Sequence, residues 1–141
     1  MLCGALLGVN VRIGCPEGFE PLPGVLDQAR DLAQHGASID VITDPAQAVA
    51  GAQAVYTDVW ASMGQETEQA EREQAFSGFC VDEALMDQAA SDAIVLHCLP
   101  AHRGEEISAE VMESAASRIF DQAENRLHAQ QALLASLMGG L

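Results

Sequence analysis

The chain has 141 residues, 49% of them hydrophobic and only 4% aromatic, which is enough for one domain around an aliphatic core and too little for two ordinary domains. Its formal net charge is −15, from 21 acidic and 6 basic residues, and every basic residue is an arginine. Such a surface offers no basic patch to nucleic acid or to an anionic membrane, and it fits either a salt-rich setting that screens self-repulsion or an arginine-favouring genome. The apolar run at residues 1–9 is broken by Asn10 and Arg12; it lacks the basic start of a signal peptide and is far shorter than the ~20 residues a bilayer requires. Cys3, Cys15, Cys80 and Cys98 form no C-x-x-C pair, so neither a zinc ribbon nor a thioredoxin-type site is expected. The thiols are read as reduced and the chain as cytoplasmic.

In chain order, an apolar helical end at residues 2–8 carries Gly4-x-x-x-Gly8, read as close helix packing rather than membrane dimerisation. Residues 9–15 alternate and predict a strand. After a Pro- and Gly-rich loop, Val25, Leu26, Ala29, Leu32 and Ala33 predict a helix over 24–35, with Gly36 at its C-cap. Residues 38–43 predict a second strand. Asp44 and Pro45 then suit the N-cap and first turn of a short helix to about residue 50. Residues 54–57 predict a third strand, and the polar stretch 66–75 an exposed helix. Asp82 caps a helix over 83–89. Residues 93–97 are apolar almost throughout and predict a fourth strand, central and covered on both faces. Ser108 caps a short helix to about residue 114, residues 118–120 suggest a fifth, very short strand, and a last helix runs over 122–137. Strands alternating with helices predict an α/β fold, a parallel sheet with helices on both faces. Ligands in such sheets bind outside the carboxyl ends of the strands, where residues 58–65 and 98–106 lie. The chain opens in mid-helix with no strand feeding it, so the first strand is expected to be missing. No G-x-G-x-x-G follows a strand, which disfavours a dinucleotide site.

Three segments carry chemistry. His97-Cys98-Leu99-Pro100-Ala-His102-Arg-Gly104-Glu105-Glu106 is a forced loop bearing a thiol, two imidazoles and two carboxylates. It reads as a reactive cysteine with a histidine partner, as a metal site using Cys98, His97 and His102, or as a plain polar loop around a small half-buried thiol. Adjacent residues of an extended segment point opposite ways, which counts against His97 and Cys98 sharing an ion, and no metal is expected. Asp58-Val-Trp60-Ala-Ser62-Met63-Gly64 places a carboxylate at a strand end, where it can hold an ammonium group or merely start a loop; Trp60 is read as packing. Phe120-Asp121-Gln-Ala-Glu124-Asn125-Arg126 puts Arg126 on the first turns of the last helix, free for a ligand or paired with Glu124 or Asp121.

Taken together, Asp58-x-x-x-Ser62-Met63-Gly64, His97-Cys98-Leu99-Pro100 and Glu124-Asn125-Arg126 resemble, in order, the three signature segments of the carboxy-terminal, Rossmann-like domain of ornithine carbamoyltransferases. The resemblance spans essentially the whole chain. Aspartate carbamoyltransferases carry His-Pro-Leu-Pro where this chain has His97-Cys98-Leu99-Pro100, so the cysteine makes the ornithine assignment specific. The resemblance implies that residues 1–141 form an ornithine-binding domain and that Asp58, Ser62 and Met63 bind L-ornithine. It implies further that Cys98 is the catalytic cysteine and that Cys98, Leu99 and Arg126 contact carbamoyl phosphate, and Arg126 is read as catalytic too, stabilising the oxyanion that develops on the carbonyl oxygen. The implied reaction is attack of the ornithine side-chain amine on the carbamoyl carbon, giving L-citrulline and phosphate in arginine metabolism, with no cofactor. The family's Ser-Thr-Arg-Thr and His-Pro-Thr-Gln motifs are absent, so the amino-terminal carbamoyl-phosphate domain is expected to be missing and the chain to be inactive alone. The family's homotrimers form through that domain, which leaves trimer formation by this chain unsupported.

Overall fold

The structure is a computed structural model that describes residues 1–61 and 69–139. Helix α1 (Leu2–Leu6) leads into strand β1 (Val11–Gly14), and α2 (Pro23–Asp31) connects β1 to β2 (Ile39–Ile42). Helix α3 (Pro45–Val49) then precedes β3 (Ala54–Thr57), and α4 (Gln69–Phe76) and α5 (Glu83–Met86) precede β4 (Ile94–His97). Two further helices, α6 (Ala109–Met112) and α7 (Ile119–Leu137), close the described chain. The capping residues read from the sequence do their expected work. The Asp44 carboxylate accepts the Ala46 amide at 2.9 Å, Asp82 accepts that of Leu85 at 2.8 Å, and the Ser108 hydroxyl accepts that of Val111 at 3.1 Å. Each satisfies an amide that the first helical turn leaves without an intrahelical partner. Gly4 is a true close approach, since a Cβ there would meet Val11 Cγ2 on β1 at 2.8 Å, so its place in the fold is one of tight packing.

The sheet is parallel as expected, but it is split. β1 pairs with β2 in register Val11↔Ile39, and β3 pairs with β4 in register Ala54↔Ile94. No ladder joins β1 to β3 among the described residues. The core divides in the same way. Val55, Val81, Val95, Ile107, Val111, Met112 and Ile119 form one cluster around β3 and β4, while Ala5, Ala29 and Ile39 form a smaller one around β1 and β2. The buried apolar residues include no aromatic ring among those described, in line with the composition.

Two expectations are corrected. Residues 118–120 are not a strand: Ser117 makes a single bridge to Val95, the Arg118 amide bonds the Val95 carbonyl at 2.9 Å, and α7 begins at Ile119. The bridge supplies the β-like contact, and helical bonding then takes over, with the Gln122 amide donating to the Arg118 carbonyl. β4 is covered fully on one face only. Val95 and His97 are buried, but Ile94 and Leu96 are half-exposed because α7 lies over them with its polar face. Unbroken hydrophobicity therefore overstated the second layer.

Helix α7 buries only Ile119. It leaves Leu127, Leu133, Leu134, Leu137 and Met138 exposed, the last two at 75% and 83%. An apolar stripe of this kind drives association, whereas the net charge of −15 opposes it at low ionic strength. Salt shortens the Debye length from about 30 Å at 0.01 M to about 3 Å at 1 M. We therefore expect the chain to be monomeric at low salt and increasingly self-associated at high salt, with its melting temperature rising over the same range. Light scattering and thermal unfolding across a salt series check this; a salt-independent monomer melt would contradict it.

Candidate active site

The parallel register sets Thr57 opposite His97, so the next residues, Asp58 and Cys98, leave neighbouring strands at their carboxyl ends side by side. There the Cys98 Sγ–H donates to Asp58 Oδ1 at 2.9 Å, and the same oxygen accepts the Val59 amide at 2.8 Å. Both side chains are exposed, hence open to a ligand. The sequence placed these two groups after two predicted strands, and the structure brings them into contact.

The loop that carries Cys98 is tied at its root. The buried His97 ring accepts the Leu99 amide on Nδ1 at 2.8 Å, so its proton lies on Nε2, which faces Glu106 Oε1 at 3.0 Å. That carboxyl oxygen also accepts the His102 amide at 2.6 Å. Glu106 therefore grips the loop before, within and after its turn. His97 and Glu106 are 1% and 0% exposed, and such burial demands hydrogen-bonded partners. The ring bond also fixes Leu99 at φ 58°, a left-handed conformation that costs a non-glycine residue of order 1–3 kcal/mol unless its surroundings hold it. With Leu99 held, its carbonyl and the neighbouring thiol keep fixed directions.

Sequence reasoning missed the roles of Glu106, Tyr56 and Gln122. The Gln122 carboxamide accepts the His97 amide at 3.1 Å and donates to the Tyr56 hydroxyl at 3.2 Å, which fastens α7 to the ends of both strands. The available signal was spacing, because Gln122 stands four residues before Arg126 on one helix face. Arg126 itself is exposed on α7. Among the described residues it pairs with neither Glu124 nor Asp121; Glu124 instead lies 3.5 Å from His128. Nor does it touch Asp58 or Cys98, and it stands one turn, roughly 6 Å along the axis, beyond Gln122. Ser62 and Met63 lie outside the described residues. Trp60 stacks at 6.1 Å on Phe76, which in turn meets Phe19 and Phe79, so it packs as expected.

The expectation that His97 and Cys98 point apart is not met. Ligating atoms of Asp58, His97 and Cys98 lie within 4.8 Å of one another, because β4 ends at His97 and strand alternation ends with it. Both ring nitrogens of His97 are nevertheless engaged, one accepting and one donating, which takes the lone pair a cation would need. His102, Glu105 and Glu106 form a second such group, in which Glu106 Oε1 already holds two partners.

Burial, and then the hydrogen bond and charge of Asp58, push the Cys98 thiol above its ordinary range. No cation beside it counters this, so around neutrality Cys98 is a thiol that donates to Asp58. Replacing Asp58→Asn removes the charge, while its carboxamide oxygen can still accept the thiol and the burial stays. We expect Cys98 to alkylate a few-fold faster at pH 8 in that variant, by less than about tenfold, read site by site by mass spectrometry. An unchanged or slower rate would mean that the Asp58 charge does not control the thiol.

The family profile described as aspartate/ornithine carbamoyltransferase, Asp/Orn binding domain, matches residues 1–137. The chain is 84% identical over its full length to an ornithine carbamoyltransferase of Parasynechococcus marenigrum and 74% identical to one of Prochlorococcus marinus strain MIT 9313. It covers 44% of each of these relatives, so it spans less than half of their length. Among solved structures it superposes on an ornithine carbamoyltransferase from Pyrococcus furiosus with a TM-score of 0.90 at 49% identity, covering 98% of this chain and 44% of that one. For the anabolic enzyme from Campylobacter jejuni the TM-score is 0.91 at 40% identity, covering 98% and 46%.

Proposed function

This chain belongs to the aspartate/ornithine carbamoyltransferase family, and from that premise we propose that residues 1–141 are the ornithine-binding domain of an ornithine carbamoyltransferase. The reaction is carbamoyl phosphate plus L-ornithine giving L-citrulline plus phosphate, a step of arginine metabolism. The observation that carries the reading is the Cys98 thiol donating to Asp58 at 2.9 Å. It sits within His97-Cys98-Leu99-Pro100, where the aspartate-specific relatives have proline in place of the cysteine.

The chemistry follows from the charges. The side-chain amine of ornithine is an ammonium near neutral pH, with an ordinary pKa of about 10.4, and must lose a proton to attack. Asp58 is an exposed carboxylate that draws the ammonium to the strand ends. Because the adjacent thiol is protonated, Asp58 is the first acceptor of the proton, and Cys98 orients the amine as a hydrogen-bond partner. The freed lone pair forms the N–C bond, and the C–O bond to phosphate breaks with its electron pair leaving on phosphate. The second nitrogen proton leaves on the departing phosphate, because Asp58 and Cys98 are by then both protonated. Leu99, held by His97, offers its carbonyl to the carbamoyl NH2. Arg126 reaches the carbonyl oxygen, whose growing negative charge a preorganised guanidinium stabilises. Ser62 and Met63 complete the ornithine contacts in this reading.

The four free thiols support a reducing, cytoplasmic setting, and no described helix is long and apolar enough to cross a membrane. We expect the 141-residue chain to form no citrulline at an enzyme-like rate, because it carries no phosphate-binding motif of the family. Joined to the part of the Parasynechococcus marenigrum relative that it does not match, it should turn over ornithine and not aspartate, as a homotrimer. A citrulline assay and light scattering test this; a joined protein that prefers aspartate would overturn the assignment.

A further inference from the structure

Two residues apart at the end of β3, Tyr56 and Asp58 leave the strand on one face, and both meet Cys98. Asp58 does so through the 2.9 Å bond from the thiol. The Tyr56 hydroxyl is hydrogen-bonded to the same sulfur, and the ionisation of each group responds to the other. From the far side, Gln122 on α7 donates to that hydroxyl at 3.2 Å. Four groups, from β3, from the loop after β4 and from α7, therefore stand in line. The direction of the line is fixed at its first member. The Gln122 carboxamide has one acceptor end and one donor end. Its oxygen is committed to the His97 amide at 3.1 Å, so its nitrogen, which can only donate, faces Tyr56. The hydroxyl oxygen accepts there, which leaves its own hydrogen for the Cys98 sulfur. The sulfur takes that hydrogen on one lone pair and turns its S–H to Asp58. Every bond thus points from α7 towards the carboxylate, and each donor strengthens the next.

We propose that Tyr56 and Gln122 are positioning residues for the Cys98 thiol. Gln122 orients the Tyr56 hydroxyl, and the hydroxyl sets the rotation of the cysteine, so that its proton meets Asp58 and one sulfur lone pair remains for the amine of the substrate. The assignment rests on the reading of Cys98 as the group that meets ornithine. Tyr56 is 56% exposed, so bonds rather than an enclosing pocket hold its hydroxyl. Gln122 lies one helical turn before Arg126, so the helix that carries the guanidinium also sets the thiol.

The test reads the thiol directly in the 141-residue chain, without turnover. Burial comes first and Asp58 next in keeping Cys98 protonated, and the Tyr56 hydroxyl opposes them. The His97 ring also stands near, and α7 contributes the neutral Gln122. Tyr56→Phe keeps the ring and removes the donor, so the thiol holds its proton to higher pH. With iodoacetamide at pH 8, Cys98 should alkylate about two- to fivefold more slowly, its pH–rate profile moving upward and reaching at least the parent rate once both thiols are ionised. Gln122→Glu keeps an acceptor for the His97 amide, but its second oxygen takes the Tyr56 hydrogen and reverses the line, so it should slow alkylation as well. In a Tyr56→Phe background the same change should alter the rate by less than about twofold. An unchanged Tyr56→Phe profile overturns the proposal. So do additive effects of the two substitutions, since the new charge then acts on the sulfur through space, and so does a slowing that persists at high pH, which marks altered access. In the joined protein, Tyr56→Phe should lower kcat/KM for ornithine about three- to tenfold with the KM for carbamoyl phosphate little changed; an unchanged kcat/KM overturns the role. A joined protein that makes no citrulline defeats the functional reading and leaves the alkylation profiles to decide the positioning of the thiol. Turnover with an unaltered Tyr56→Phe profile does the reverse.

Discussion

Replacing Arg126→Ala in the joined protein described above is expected to lower citrulline formation by about 10²–10³-fold, with the larger share in kcat. The guanidinium is exposed on α7 and, among the described residues, makes no ion pair. Its charge is therefore available to a ligand rather than neutralised by Glu124 or Asp121. A donor that meets its acceptor only as negative charge develops lowers the barrier more than it improves ground-state binding. Cys98→Ala should cost less, because Asp58 remains to draw the ammonium and take its proton. Steady-state kinetics with both substrates varied separate the two cases. Turnover of Arg126→Ala within a factor of about three of the parent would remove Arg126 from the mechanism. If Cys98→Ala proved as damaging as Asp58→Ala, the thiol would do more than orient the amine.

Those roles rest on features that differ in how well a sequence can display them. Asp44, Asp82 and Ser108 were legible because a cap acts on amides two or three residues away. Strand positions were legible from local alternation, and the pairing of Asp58 with Cys98 followed once both were placed at parallel strand ends. What stayed hidden depends on distant partners. The split between β1 and β3 concerns which strands share a ladder, and no local pattern encodes that. The half-exposure of Ile94 and Leu96 depends on which face of α7 lies over β4. Glu106 looked like one more acid in an acidic chain; only burial beside His97 distinguishes it from Glu105. The surroundings of the Cys98 thiol stayed open in the sequence for a related reason. His97 and His102 stand close in sequence, yet one ring is turned to Glu106 and the other lies 3.4 Å from Glu105, so neither offers the thiol a positive neighbour.

The buried His97–Glu106 pair carries the second large effect, this time on stability. His97→Ala removes the group that accepts the Leu99 amide and the donor that faces Glu106 Oε1. The Glu106 side chain would keep only the His102 amide, and its other oxygen, Oε2, already accepts from no described residue. Each buried polar group stripped of its partner costs about 1–3 kcal/mol, and the vacated ring, 1% exposed in the parent, leaves a buried cavity. A loss of roughly 3–5 kcal/mol is expected, a large share of the ~5–15 kcal/mol that holds a domain together. Glu106→Gln should be milder, because its amide oxygen can still accept from His97 Nε2 and from the His102 amide. Urea unfolding measures both, with a lowered midpoint at constant slope as the sign of lost stability. In the parent, ring ¹⁵N shifts should place the His97 proton on Nε2. If His97→Ala cost less than about 1 kcal/mol, water would be replacing the ring without penalty. The left-handed turn at Leu99 would then be held by the chain around it rather than by the imidazole.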